Sequence, residues 1–308
     1  MEQKPRTTAR LVERLEHPNR KVRMVLDTDT FNEIDDQFAV AYALSSPERL
    51  AVEAIYAAPF HNERSTGPGD GMEKSYDEIL RVLTRLDVPA EGFVYRGSRT
   101  FLPGPDSPVS SDAAADLVAR ALRSPADDPL YVVAIGAITN VASAILMNPA
   151  IIERMVVVWL GGHALYWPDT HEFNLRQDIA AARVVLDSGV PLVQIPCAGV
   201  TSHLHTTLAE AEVYLEPVGE IGRFLTQRLR EYADDHFAYS KVIWDLAAVA
   251  YLVDERFVPT QLVHSPVLTD QCTWSVDTSR HLMRCATYVQ RDLIFGDLFR
   301  KLRTRVRL

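Results

Sequence analysis

Five carboxylates fall within ten residues: Asp27, Asp29, Glu33, Asp35 and Asp36, all in the stretch Asp27-Thr28-Asp29-Thr30-Phe31-Asn32-Glu33-Ile34-Asp35-Asp36. Like charges at this density repel one another and resist ionisation unless a cation sits among them. Ligands that are all oxygen favour a hard ion, calcium or magnesium, over zinc. A lone Asp35 or Asp36 would do no more than cap a helix, and acids on an open turn would be solvated. Here, however, residues 24–26 read as a buried strand running into the turn and residues 38–44 as a helix leaving it. The carboxyl edge of an α/β sheet is where ligands bind, so the cluster points to metal or acid–base chemistry.

Three later segments also fall at strand ends or helix starts. Gly136-Ala137-Ile138-Thr139-Asn140 follows an apolar strand and opens a helix. Leu160-Gly161-Gly162 is followed by Glu172-Phe173-Asn174, and Trp244-Asp245 precedes the apolar helical run 246–253. Each alone has an ordinary explanation: Asp245 as a helix cap, Trp244 as a core aromatic, Glu172 and Asn174 as loop polars. His203 and His205 alternate as on one strand face, but no Cys or third His is placed to complete a zinc site, and no metal is assigned to them.

Strands and helices alternate behind these segments. Strands are expected at 22–26, 50–57, 130–135, 155–160 and 192–195, and helices at 37–45, 73–86, 112–123, 139–147 and 179–188. Such alternation means βα units and an α/β fold with a mainly parallel, doubly wound sheet, with small antiparallel or helical additions near the C-terminus. A charged leader, 1–21, with a short helix at 9–15, precedes a single domain, 22–308. The long loops 58–71, 97–111 and 162–171 each follow a strand and would lie over its carboxyl end, where a lid or specificity role is open to them.

The bulk properties narrow the class. With 308 residues and 47% hydrophobic content the chain can bury a sizeable core. A net charge of −9 argues against nucleic acid or an anionic membrane as partner. The three cysteines, Cys197, Cys272 and Cys285, are odd in number and far apart, as expected of buried thiols in a reducing compartment. The first 23 residues lack a secretory h-region, and no apolar run reaches the ~20 residues of a membrane helix, so a soluble cytoplasmic protein is expected.

Taken together, in this order and spacing, the segments resemble the inosine–uridine-preferring nucleoside hydrolase family from about Val22 to near the C-terminus. The resemblance implies calcium-dependent hydrolysis of a ribonucleoside to free base and ribose, by a homodimer or homotetramer. It also implies roles. Asp29 would bind calcium and act as general base, Asp36 would be a bidentate ligand, Thr139 would offer its backbone carbonyl, and Asp245 would complete the ion's shell and touch the sugar. Asp35, Glu172 and Asn174 would hold ribose hydroxyls, and Asp27 would buttress the loop. The chemistry agrees, because an oxocarbenium-like sugar is favoured by a carboxylate-rich pocket. Many members have His before the late Asp; Trp244 here resembles the purine-specific, inosine–adenosine–guanosine-preferring subclass, in which Trp stacks on the leaving base and activates it. Phe101, Tyr95, Tyr166 and Trp167 are candidates for the opposite face.

Two departures stand out. Five residues separate Asp29 from Asp35 where the family motif has three, which leaves open the choice between Asp35 and Asp36 as ligand and whether Asn32 or Glu33 enters the site. The segment 162–172 has no Asn where the family has one gripping the 5′-hydroxyl; Tyr166, Trp167, Asp169 or His171 would replace it, and a sugar altered at the 5′ position is an option. Two rival readings are kept. In a haloacid-dehalogenase-like, magnesium-dependent phosphatase, Asp27 would be the nucleophile and Asp29 the acid/base. A catalytically silent nucleoside- or sugar-binding relative would retain the acids without turnover.

Overall fold

The computed structural model describes residues 8–125 and 127–305. The expected leader lies partly outside them; its described part forms helix α1 (Thr8–Leu15), which buries Leu11 and Leu15 and packs against the sheet. The chain then alternates β1 (Val22–Thr28), α2 (Asp35–Leu44), β2 (Leu50–Ala57), α3 (Pro68–Arg85), β3 (Val94–Arg96), α4 (Asp112–Arg123), β4 (Leu130–Ala134), α5 (Thr139–Met147) and β5 (Met155–Leu160). A short α6 (Phe173–Gln177) leads into α7 (Ile179–Asp187) and β6 (Leu192–Ile195). Beyond it come β7 (His205–Thr206), α8 (Leu208–Tyr214), α9 (Gly219–Tyr232), β8 (Lys241–Val242) and α10 (Leu246–Val253). The chain ends with β9 (Thr260–His264), β10 (Val267–Leu268), β11 (Trp274–Ser275), β12 (Leu282–Ala286) and α11 (Arg291–Arg305).

The main sheet runs β3-β2-β1-β4-β5-β6-β12-β9, and all neighbours are parallel except β12 and β9. Its first six strands have the order of a doubly wound fold, reversing direction between β1 and β4. Alternate residues feed two cores. Met24, Leu26, Tyr131 and Val133 face a layer holding α2, α3, α9, α10 and α11. Val25, Leu130 and Val132 face a layer holding α4, α5 and α7. Both faces are covered, which is why β4 and β5 read as unbroken apolar runs.

The expected strands and helices are present with shifted ends. Helix α3 starts at Pro68 rather than near residue 73, because a proline at the first helical position is tolerated where its missing N–H has no partner to lose. The additions near the C-terminus are the antiparallel pairs β7–β8 and β10–β11 together with edge strand β9.

Candidate active site

A cavity of about 670 Å³ opens at the carboxyl edge of the sheet, over the β1–β4 switch point. Asp29 reaches it just after β1, Ile135 just after β4, Leu160 at the end of β5 and Cys197 after β6. Asp35 and Asp36 arrive on the first turn of α2, and Asp245 on the residue preceding α10. Helix α6 contributes Phe173, Asn174, Arg176 and Gln177, and Glu172 precedes it as its N-cap.

The floor is a concentration of buried acid. Asp35, Asp36 and Asp245 offer carboxylate oxygens that all lie within 4.8 Å of one another. Asp36 accepts from the Thr28 hydroxyl and shares a hydrogen bond with Asp245. Asp35 Oδ2 accepts from the Trp244 N–H at 3.1 Å. Asp29 lines the same cavity outside that trio, and its Oδ2 is buried with no hydrogen-bond partner. Burial pushes the Asp29 carboxyl well above the usual range, and neighbouring Asp36 and Asp35 push it further. Asp36 and Asp245 are raised well above it too, by burial and then by Asp35. Burial lifts Asp35 only to about 6, because the Lys241 ammonium opposes the rise. Four buried carboxyls that resist ionisation, one with an orphaned oxygen, form a donor set that suits a hard divalent cation.

Glu172 and Asn174 are fixed rather than free. The Glu172 carboxylate caps α6, accepting from the Asn174, Leu175 and Gly162 N–H groups at 2.8, 2.9 and 2.9 Å. Gly162 can present its N–H this way because its φ of +73° suits glycine, and a Cβ there would lie 2.7 Å from Thr170 Oγ1. Asn174 spends its Nδ2 protons on the Ile135 and Leu160 carbonyls, at 3.2 and 3.0 Å, leaving Oδ1 to accept from a ligand.

Some expected residues stand elsewhere. Thr139 does not line the cavity: it is buried on the first turn of α5, and its hydroxyl donates to Asp178 at 2.7 Å. The residue of that strand end which does line it is Ile135. Neighbouring Asn140 is likewise structural, donating to Asp27 Oδ1 at 2.7 Å. Asp27 is fully buried and does not line the cavity, which speaks against the nucleophile role a phosphatase would give it. None of Phe101, Tyr95, Tyr166 and Trp167 lines the cavity; Tyr95 packs edge-on against Tyr56, and the Tyr166 hydroxyl donates to the Gly199 carbonyl. The aromatic rings that do line it, with half-buried Trp244, are Tyr232 at the end of α9 and Phe173 on α6. Asn32 and Glu33 of the longer turn both enter the wall, as does His171.

An eight-stranded, doubly wound sheet with a carboxylate-floored cavity at its switch point places the acids where open α/β sheets bind their ligands. The family model described as inosine-uridine preferring nucleoside hydrolase matches residues 24–303, and the chain belongs to that family. It is therefore a nucleoside hydrolase, an enzyme that cleaves the N-glycosidic bond of ribonucleosides. The pyrimidine-specific ribonucleoside hydrolase RihA of Klebsiella pneumoniae is 29% identical over 241 residues, 71% of this chain and 72% of its own. Among solved structures, the purine-preferring ribonucleoside hydrolase from Gardnerella vaginalis superposes with a TM-score of 0.72 at 22% identity, covering 92% of this chain and 99% of its own. An inosine-guanosine nucleoside hydrolase gives 0.72 at 18% identity, covering 91% and 98%. The relatives it matches thus include enzymes of either base preference.

Proposed function

We propose that this enzyme is a calcium-dependent ribonucleoside hydrolase that prefers purines. The observation that carries the reading is the buried trio Asp35, Asp36 and Asp245 with Trp244 immediately before Asp245 and on the cavity wall. Asp35, Asp36 and Asp245 would hold the ion, with Asp29 beside it on the cavity wall. When bound, the ion supplies charge that acidifies water and orients sugar hydroxyls.

The protein's own groups account for the remaining chemistry. Asp29 keeps a carboxylate oxygen free of internal partners and so can take the proton of the attacking water. Asn174 Oδ1 and the fixed Glu172 carboxylate accept from the sugar hydroxyls and set its orientation. The acidic floor favours the positive charge that develops on the sugar as the C1′–N bond breaks. Trp244 and Tyr232 offer the base a stacking wall, and a purine covers more of it than a pyrimidine.

The test is a panel of nucleosides with free base as the readout, run with chelator and after calcium is restored. Inosine or guanosine should be cleaved faster than uridine, activity should vanish with chelator, and calcium should restore it. Trp244→Ala should slow inosine far more than a nitrophenyl riboside, whose leaving group needs no activation. A parent preference for uridine would overturn the purine assignment and leave the acidic site standing. Calcium binding without base release from any nucleoside would favour a silent relative.

A further inference from the structure

The floor of the cavity is acidic, but its mouth is not. Arg64, Arg176, His61, His163 and His171 line it, opposed there by Glu63 and Glu33. The Arg176 backbone N–H donates to the Glu172 carbonyl at 2.9 Å, so Arg176 sits one turn beyond the residue that caps α6. Glu172 is buried on the floor and Arg176 is exposed above it. The Arg176 guanidinium has no hydrogen-bond or ion-pair partner among the described residues.

This mouth is braced by hydrogen bonds. Gln177 Oε1 accepts from the His61 N–H at 2.7 Å, tying the loop after β2 to α6. Asn62 Nδ2 donates to Asn32 Oδ1 at 2.7 Å, and Arg64 Nη1 to the Asn32 carbonyl at 3.1 Å. The Arg64 guanidinium also lies 4.7 Å from the centroid of the Phe31 ring, which holds it against the longer turn.

A ribosyl ring carries its base on C1′ and its hydroxymethyl group on C4′, on either side of the ring oxygen. Trp244 and Tyr232 come from the helical layer of α9 and α10, whereas α6 packs Leu175 into the opposite layer. A base against the first wall turns the 5′ carbon toward α6 and Arg176. A neutral hydroxymethyl group gives an unpaired guanidinium nothing to neutralise, whereas a phosphate accepts from it bidentately.

We propose that the α6 side of the mouth binds an anionic 5′ substituent, making ribonucleoside 5′-monophosphates a substrate class of this enzyme. The inference rests on the hydrolase reading above and narrows it. The bonds exchanged are those of the nucleoside reaction: the oxygen of water joins C1′, the C1′–N bond breaks, and Asp29 takes the proton of the water. The base leaves with a proton from solvent, and the other product is ribose 5-phosphate.

The experiment compares kcat/KM for a nucleoside and its 5′-monophosphate carrying the same base, in saturating calcium. The monophosphate should be preferred, and Arg176→Ala should lower the monophosphate-to-nucleoside ratio on the order of ten- to a hundredfold, the range for a hydrogen bond to a charged group. Arg176→Lys should retain more of the ratio than Arg176→Ala. Ribose 5-phosphate should inhibit the parent more strongly than ribose, and Arg176→Ala should erase that difference. Cleavage of the nucleoside but not the monophosphate, or a ratio that Arg176→Ala does not move, overturns the proposal and leaves nucleoside hydrolysis standing. Preference for a nucleoside with a carboxylated base, such as orotidine, also overturns it by moving the anion to the base side. Base release from neither substrate overturns both readings.

Discussion

Asp29 shows how burial makes a base. Its side chain stands at the end of a strand, is 1% exposed, and keeps one oxygen without a partner beside the acids Asp35 and Asp36. Gly136 lets the next strand end approach it, since a Cβ there would lie 3.1 Å from the Asp29 carboxyl carbon. Asp29→Asn preserves the shape and removes the proton acceptor. Turnover at saturating calcium should fall on the order of 10²–10⁴-fold while the protein stays folded. Turnover near that of the parent, measured as base release from inosine, would refute the role. At this scale the acids were legible in the sequence, because like charges crowded at a strand end have few physical explanations. Tyr232, Phe173 and Arg176 were not, since nothing local in the sequence marks the end of α9 or a five-residue helix as a cavity wall. Thr139, expected to offer its backbone carbonyl, does not line the cavity, and its side chain and that of Asn140 turn to Asp178 and Asp27; a Thr-Asn pair at a helix start carries no local mark of which way it faces.

Among the elements, the longer turn between β1 and α2 has a partner on β8. Glu33 pairs with the Lys241 ammonium, which is buried, lies 4.8 Å from the centroid of the Tyr232 ring, and also faces Asp35. Burial lowers the tendency of Lys241 to hold its proton, but Asp35 and Glu33 outweigh that and raise its pKa. The contact fastens the acidic turn to the short strand just ahead of Trp244 and Asp245, so both sides of the cavity keep their spacing. Lys241→Met keeps the apolar stem and deletes the charge, leaving Glu33 and Asp35 uncompensated. Because the Glu33 side chain is 39% exposed, the loss should be smaller than for a fully buried pair, about 1–3 kcal/mol in urea unfolding. Adding Glu33→Gln to Lys241→Met should recover part of that loss by removing one unpaired charge. A double variant as unstable as the sum of its two single changes would show that the two residues do not act together. The sequence marked this turn as two residues longer than the family pattern, but its cation partner lies 208 residues away and only the fold brings it close.

On the scale of the whole molecule, the acids that serve the site oppose folding when no cation is present. Burial raises Asp27 to about 7 and Asp35 to about 6, and Asp29, Asp36 and Asp245 lie well above the usual carboxylate range. In the unfolded chain these groups titrate near 3.9. From about pH 4 up to those raised values the folded protein holds more protons than the unfolded one, so the metal-free fold loses stability as pH rises through that window. Each unit of upward shift corresponds to about 1.4 kcal/mol at most, opposed elsewhere by the hydrophobic cores on both sheet faces. A divalent cation bound by the ionised, folded site alone would stabilise by mass action and compete with protons. The rise in unfolding temperature on adding calcium should therefore be larger at pH 8 than at pH 5. Asp36→Asn combined with Asp245→Asn should abolish most of the rise at both values and flatten the metal-free pH dependence. Scanning calorimetry of both proteins, with and without calcium at each pH, checks this. A calcium response of equal size at pH 5 and pH 8, or one that survives the double substitution, would place the cation somewhere other than among these carboxylates.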